Sequence, residues 1–431
     1  VLRLLDLRNF EGDYRAAMPR AAFDVEAALT KVAPICEDVA LRGAKALEEY
    51  SLRFDQVLPD SFRVPQAAID RAEHELDPQL RRAFAESIAR RRQVAASELP
   101  PNVQVQLGNG AVVEQWQLPI SRVGLYVPGG LAPLSSSVLM NVIPAQVAKV
   151  ESIAVASPPQ REFGGLPHPT ILAMCKLLGV DEVYAVGGAQ AIAMFAYGVE
   201  GVCPPVDMVT GPGNIYVVAA KRYLSKLVGI DSEAGPTEIA ILANDTANPT
   251  FIAADLVSQA EHDPLAAAIL VSDSIELIEA VQAELQTQVA VTKYRDRVLT
   301  ALTGEQSAFI RVRDIAQGID VVNAYGAEHL EIQTCEPRAV AQRIKNAGAI
   351  FLGSWSPVSL GDYSAGSTHV LPTRGCACHS SGLNVKSFLK AVHVVDYSQS
   401  GFADIAEVAE KFAAAEDLPA HRNAIVLRRT P

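Results

Sequence analysis

Val123-Gly124-Leu125-Tyr126-Val127-Pro128-Gly129-Gly130 opens a stretch, residues 123–148, that contains no Asp, Glu, Lys or Arg. A run of that length is long enough to span a bilayer. Pro128, Gly129, Gly130, Pro133, Ser135, Ser136, Ser137, Asn141 and Pro144 interrupt it, however, and lipid would leave the freed backbone groups unsatisfied. A buried strand, a glycine turn and a helix fit the stretch better. The same pattern recurs outward from it. Short apolar runs at 153–156, 183–186, 206–209, 239–242, 268–271 and 350–352 resemble buried strands, and most lead to Gly, Pro or Asn before a helical segment. That order predicts an α/β fold with parallel sheets.

Residues 1 to about 100 read differently. Apolar positions recur at three- and four-residue spacing through Phe23, Val25, Ala28, Leu29 and Val32, and again through Ile69, Leu76, Leu80, Phe84 and Ile88, which predicts a helical scaffold. The cluster Arg81, Arg82, Arg90, Arg91 and Arg92 reads as a solvated helix face rather than an anion site. A late boundary falls near residue 380, followed by a small tail with an apolar run at 388–395 and an Ala-rich helix at 405–415.

The chain has 431 residues, enough for two or three units at roughly 150 residues each. With 49% hydrophobic and 20% charged residues it is an ordinary folded protein, and general disorder is excluded. A net charge of −12 disfavours nucleic acid and anionic membranes as partners. Six Cys are too sparse for a disulfide framework, and Arg3, Asp6 and Arg8 break any apolar leader, so a cytoplasmic setting is expected.

Three glycine-rich turns follow predicted strands: Tyr126-Val127-Pro128-Gly129-Gly130, Val186-Gly187-Gly188-Ala189-Gln190 and Thr210-Gly211-Pro212-Gly213-Asn214. Glycine there lets a ligand approach the backbone, and the following helix amino terminus favours phosphate. Tight turns need glycine without any ligand, and no G-x-G-x-x-G is present.

Four further segments carry reactive side chains. In a helix candidate at 251–264, Gln259 and His262 stand three apart within Ser258-Gln259-Ala260-Glu261-His262-Asp263. This fits metal ligation and equally a polar helix end. Glu328-His329 pairs a carboxylate with an imidazole that titrates near neutrality, a combination suited to acid/base work but common as a structural dipeptide. Leu360-Gly361-Asp362-Tyr363, leading to His369, offers a carboxylate and an imidazole on a Gly/Ser-rich segment. Cys376-Ala377-Cys378-His379 resembles a soft metal site, but one cluster supplies at most three ligands and nothing completes a fourth. Glu416 to His421 in the tail has no reading of its own.

Taken together and in order, Ile230-Asp231-Ser232-Glu233-Ala234-Gly235-Pro236-Thr237-Glu238, Ser258 to Asp263, Gly326-Ala327-Glu328-His329-Leu330, Leu360 to Tyr363, His369-Val370-Leu371-Pro372-Thr373 and Glu416 to His421 resemble the signature of the histidinol dehydrogenases. The resemblance implies oxidation of L-histidinol through the aldehyde to L-histidine with two NAD⁺, and one Zn²⁺ per subunit. It implies Gln259, His262, Asp362 and His421 as zinc ligands, His329 as general base and Glu328 as activator of water for aldehyde hydration. Thr237, His369 and Glu416 would contact substrate together with Gln259, His262, His329, Asp362 and His421, while Tyr126, Gln190 and Asn214 would contact NAD. It further implies two incomplete Rossmann-like domains, namely 23–125 with 238–380 as the zinc and catalytic unit and 126–237 as the NAD unit. Segments 1–22 and 381–431 would serve a homodimer whose active site is shared. A relative acting on another small polar alcohol and a zinc hydrolase are the competing readings.

Overall fold

The computed structural model describes residues 2–129 and 133–429. Its strands, in chain order, are β1 (Arg3–Asp6), β2 (Val103–Gly108), β3 (Ala111–Pro119), β4 (Arg122–Tyr126), β5 (Ser152–Ser157), β6 (Val183–Ala185), β7 (Met208–Thr210), β8 (Gly229–Ile230), β9 (Glu238–Ala243), β10 (Ala267–Ser272), β11 (Ala308–Arg311), β12 (His329–Gln333), β13 (Ala349–Leu352) and β14 (Leu389–Tyr397). They form a parallel sheet in the order β6-β5-β4-β7-β8, a parallel sheet in the order β1-β11-β10-β9-β12-β13, and an antiparallel sheet β14-β3-β2. The expected α/β architecture with parallel sheets is therefore present.

Apart from the edge strand β1, each parallel sheet starts at a central strand, winds outward on one side and then crosses to the other. In the first sheet β4 is followed by β5 and β6, then by β7 and β8 beyond β4; in the second β9 is followed by β10 and β11, then by β12 and β13 beyond β9. This is the doubly wound order, with topological switch points between β4 and β7 and between β9 and β12. Both sheets are covered on both faces, so their strands read as continuous apolar runs. Along β4 the side chains alternate: Val123 and Leu125 enter one core and Tyr126 the other. At Gly124 a Cβ would lie 2.6 Å from the Phe195 ring, so only glycine lets the helix that carries it, Gly188–Tyr197, lie flat on the strand.

The helices of the first hundred residues depart from the expected grouping of 23–125 with 238–380. Helix Val25–Arg42, capped by Asp24 accepting from Ala27 N at 2.9 Å, buries Val25, Ala28, Val32, Cys36 and Val39 against helices Gly188–Tyr197 and Ile215–Leu224. Gln66–His74 and Pro78–Glu98 cover the opposite face, against Pro169–Leu177 and Ser135–Val147. Both layers thus belong to the five-stranded sheet, because an amphipathic face needs an apolar partner and its periodicity does not specify which one. Arg91 also corrects the solvated-face expectation. It is fully buried, with Nη1 donating to Glu98 Oε1 at 2.8 Å and to the Gly366 carbonyl at 3.3 Å. At the amino end, β1 forms the edge of the six-stranded sheet.

The antiparallel sheet ties the tail to the hairpin β2–β3, with Leu389 opposite Pro119 and Tyr397 opposite Ala111. Beyond it, helices Gln399–Ala415 and Pro419–Arg429 pack on one another and are mostly exposed. Among the described residues no helix is long and apolar enough to cross a membrane.

Candidate active site

Sheet topology assembles the site. β9 and β12 are parallel neighbours with His329 opposite Ile239, so Thr237 and Glu238 at the start of one strand meet Glu328 and His329 at the start of the other. Thr237 Oγ1 donates to Glu328 Oε2 at 2.6 Å, and the Glu238 N–H donates to the same oxygen at 3.0 Å. His329 Nδ1 lies 3.7 Å from that oxygen. Both His329 ring nitrogens are buried without a hydrogen-bond partner, which leaves them free for a reacting group.

Helix Pro249–Ala260, capped by Asn248, delivers its carboxyl end to this cluster. Gln259 Nε2 donates to Thr237 Oγ1 at 2.7 Å, so an amide, a hydroxyl and a carboxylate form one chain. The helix stops at Ala260, earlier than the expected 264, and His262 follows just past the cap at Glu261. His262 Nε2 sits 3.9 Å from Asp362 Oδ2, on the short helix Val358–Tyr363. The Asp362 carbonyl pairs with His369 Nδ1 at 3.1 Å, and His369 Nε2 lies 3.4 Å from Ser137 Oγ at the start of the helix after β4. His369 thereby links the two parallel sheets.

Burial sets the proton affinities. Desolvation pushes the Glu328 carboxyl up to about 8 and Asp362 up to about 7. The same effect, aided by repulsion from His262 and His369, lowers His329 to about 3, and His369 falls to about 4. His262 shifts down as well through partial burial. The imidazoles are therefore neutral at physiological pH, as a base or a metal ligand must be. Positive charge brought into the cluster would favour the carboxylate forms.

A cation fits the donors on one side of the cluster. Gln259 Oε1 is buried and unpartnered, and His262, three residues further on, approaches the Asp362 carboxylate. Among the described residues no three His, Cys, Asp or Glu side chains gather into a metal cage. Glu416 and His421 stand apart, both exposed on the tail helices. Cys376–Cys378 forms a single 3₁₀ turn.

The three glycine turns converge on Tyr126. The Gly188 N–H donates to Tyr126 Oη at 3.0 Å, and at Gly211, with φ +116°, a Cβ would lie 2.0 Å from the Tyr126 carbonyl oxygen. Gln190 is buried beside Gly188. Asn214 caps helix Ile215–Leu224, its Oδ1 accepting from Tyr216 N at 3.0 Å and Val217 N at 3.2 Å. Gly130 lies outside the described residues. Reading the sequence missed the buried acids Asp255 and Glu331. Glu331 follows Glu328-His329 by two residues, and the strand period alone would have placed it on the face of His329.

Two doubly wound sheets, with a glycine-turn cradle at the switch point of one and a buried acid/base cluster at that of the other, define an α/β enzyme built for proton transfer. A profile of the histidinol dehydrogenase family matches residues 18–429. The chain is 64% identical to the histidinol dehydrogenase of Cutibacterium acnes, covering 100% of both chains, and 60% identical to that of Streptomyces avermitilis, covering 96% of this chain and 94% of the other. The crystal structure of histidinol dehydrogenase from Elizabethkingia anophelis superposes with a TM-score of 0.93 at 32% identity, covering 99% of this chain and 98% of that one. The chain belongs to the histidinol dehydrogenase family. Its activity is the NAD-dependent oxidation that completes histidine biosynthesis.

Proposed function

We propose that this chain oxidises L-histidinol through L-histidinaldehyde to L-histidine, with Glu328 and His329 as its acid/base pair. The supporting observation is the buried dyad itself: two groups of different basicity, 3.7 Å apart, with both imidazole nitrogens unpartnered. His329 takes the hydroxyl proton in each oxidation. An aldehyde has neither a hydroxyl proton nor a second hydride to give, so water must add between the two steps. Glu328, ionised in the occupied site and held in orientation by Thr237 and the Glu238 amide, accepts the proton of that water. Keeping the aldehyde bound lets neighbouring groups serve both halves without a second encounter.

Gln259, His262 and Asp362 would hold zinc, with His421 supplied by the partner of a homodimer. When bound, zinc supplies a fixed positive charge that orients the substrate's nitrogen groups. Thr237, His369 and the partner's Glu416 would contact substrate. Tyr126, Gln190 and Asn214 would hold NAD⁺, which when bound accepts the hydride. What supports the shared site is the tail: its helices leave Val408, Phe412 and Leu427 exposed along with His421, an apolar surface of the kind subunits cover. On this reading residues 381–431 are the dimer arm.

The test is stoichiometric. Zinc-loaded protein with limiting L-histidinol and excess NAD⁺ is expected to yield two NADH and one histidine per histidinol. One NADH with accumulation of aldehyde would reject the four-electron assignment.

A further inference from the structure

Two carboxyl groups outside the acid/base dyad are buried together behind it. Glu331, fully buried on β12, leaves the strand on the same face as His329, two residues earlier. Asp255, 8% exposed, stands one helical turn before Gln259 on helix Pro249–Ala260. Their side chains are within hydrogen-bonding reach of each other. Glu331 Oε1 also accepts from the Val358 N–H at 3.1 Å, and Gln333 Nε2 lies 3.5 Å from Glu331 Oε2. Val358 is the first residue of the helix that presents Asp362 one turn later.

Three separate elements therefore meet on one pair of acids: the strand of His329, the helix leading to Gln259 and His262, and the helix of Asp362. Two ionised carboxylates in contact away from water repel strongly, and an apolar pair would pack there at less cost. A single retained proton turns the contact into a carboxyl-carboxylate hydrogen bond, which is short, directional and well suited to fixing register. Burial raises both groups, and Asp255 raises Glu331 further, so that Glu331 is the one that retains the proton.

We propose that Asp255 and Glu331 form a proton-sharing clamp that positions Gln259, His262 and Asp362 for the metal. They are positioning residues, and the inference rests on the zinc ligands assigned above. Deleting one acid frees an element to shift, and loss of such outer-shell partners typically weakens metal binding by about 10–100-fold.

The experiment measures Zn²⁺ affinity by competition with a chromogenic chelator, and the visible absorption of the Co²⁺-substituted protein, in Glu331→Leu, Asp255→Ala, Glu331→Gln and Asp362→Ala. Glu331→Leu and Asp255→Ala are expected to keep native circular dichroism, bind Zn²⁺ about 10–100-fold more weakly and shift the Co²⁺ bands. Glu331→Gln, which still accepts from Val358 and can donate to Asp255, is expected to stay close to wild type. Should Glu331→Leu fail to fold, Asp255→Ala at the less buried position decides. Wild-type affinity and spectrum in Asp255→Ala would overturn the proposal, as would a Glu331→Gln variant as weak as Glu331→Leu. Wild-type affinity in Asp362→Ala would instead overturn the ligand assignment beneath it.

Discussion

Glu328→Gln should stabilise the metal-free protein in proportion to pH. The native environment raises the Glu328 carboxyl to about 8 from its ordinary 4.5, because both its oxygens lie away from water. The folded state therefore favours the protonated form. Below pH 4.5 the side chain is neutral folded or unfolded and contributes no penalty. Above it the unfolded chain releases the proton while the folded chain retains it, and stability falls until the pH passes about 8. At about 1.4 kcal/mol for each pH unit between those limits, the loss is about 3 kcal/mol at pH 7 and at most about 5 kcal/mol beyond pH 8. Glutamine has the same shape and no charge. Its Oε1 can occupy the place of Glu328 Oε2 and accept from both Thr237 Oγ1 and the Glu238 amide. Urea unfolding midpoints of chelator-treated wild type and Glu328→Gln, measured from pH 5 to pH 9, should coincide at the acid end and diverge as pH rises, with the variant the more stable. Parallel curves, or a gap between variant and wild type that closes as pH rises, would refute the assignment of Glu328 as a carboxyl held in a desolvated site. The same variant should be most impaired in aldehyde oxidation, so that the group which limits stability is the one the reaction uses.

His329→Ala should keep the fold and its zinc yet lose about 10²–10⁴-fold in kcat for both the alcohol and the aldehyde, since it removes the group that takes the hydroxyl proton in each oxidation; steady-state rates with each substrate check this. Mixing His421→Ala and His329→Ala subunits should restore about a quarter of wild-type activity at equal amounts, because half the dimers are mixed and each holds one intact site. No recovery after verified subunit exchange would contradict a shared site. Gly211→Ala places a Cβ 2.0 Å from the Tyr126 carbonyl at a φ of +116°, so it should cost about 1–3 kcal/mol and raise the KM for NAD⁺ more than that for histidinol. Thermal melts and the two KM values separate these effects.

The parts of this architecture that were legible were those with a local signal. Runs such as Ile239 to Leu242 are buried on both faces of a parallel sheet, and continuous apolarity betrays that environment. The antiparallel sheet had a signal that went unread: Val103-Gln104-Val105-Gln106-Leu107 alternates with period two and leads into Asn109-Gly110, a hairpin dipeptide, with Gly110 at φ +72°. Which sheet the helices of 25–98 cover had no signal at all, since Val32 or Ile69 would suit any apolar floor. Arg91 misled for a related reason: charge in a basic cluster points to water unless a distant acceptor, here the Gly366 carbonyl, is known to wait inside. The site residues were legible as a set only by their resemblance to a family. Glu328 and His329 carry no local mark that distinguishes a reactive pair from a structural one, because that distinction lies in burial and in the unpartnered ring nitrogens.

The placement of the cluster at the amino ends of β9 and β12 runs against the usual rule that doubly wound sheets bind ligands at their carboxyl ends. Charge explains the exception. In the five-stranded sheet the carboxyl ends of the strands lead into the amino termini of helices Gly188–Tyr197 and Ile215–Leu224, whose positive dipole ends suit a pyrophosphate. At the amino ends of the six-stranded sheet the neighbours are helix carboxyl termini: Pro249–Ala260 ends beside Gln259 and His262, and Ile315–Tyr325 ends at Gly326, two residues before Glu328. Their negative dipole ends suit a metal cation and an amine-bearing substrate. A reaction that must bring an anionic dinucleotide and a cationic substrate to one point is served by opposing the two kinds of sheet end. His369, reaching from Asp362 to Ser137, spans the seam between them.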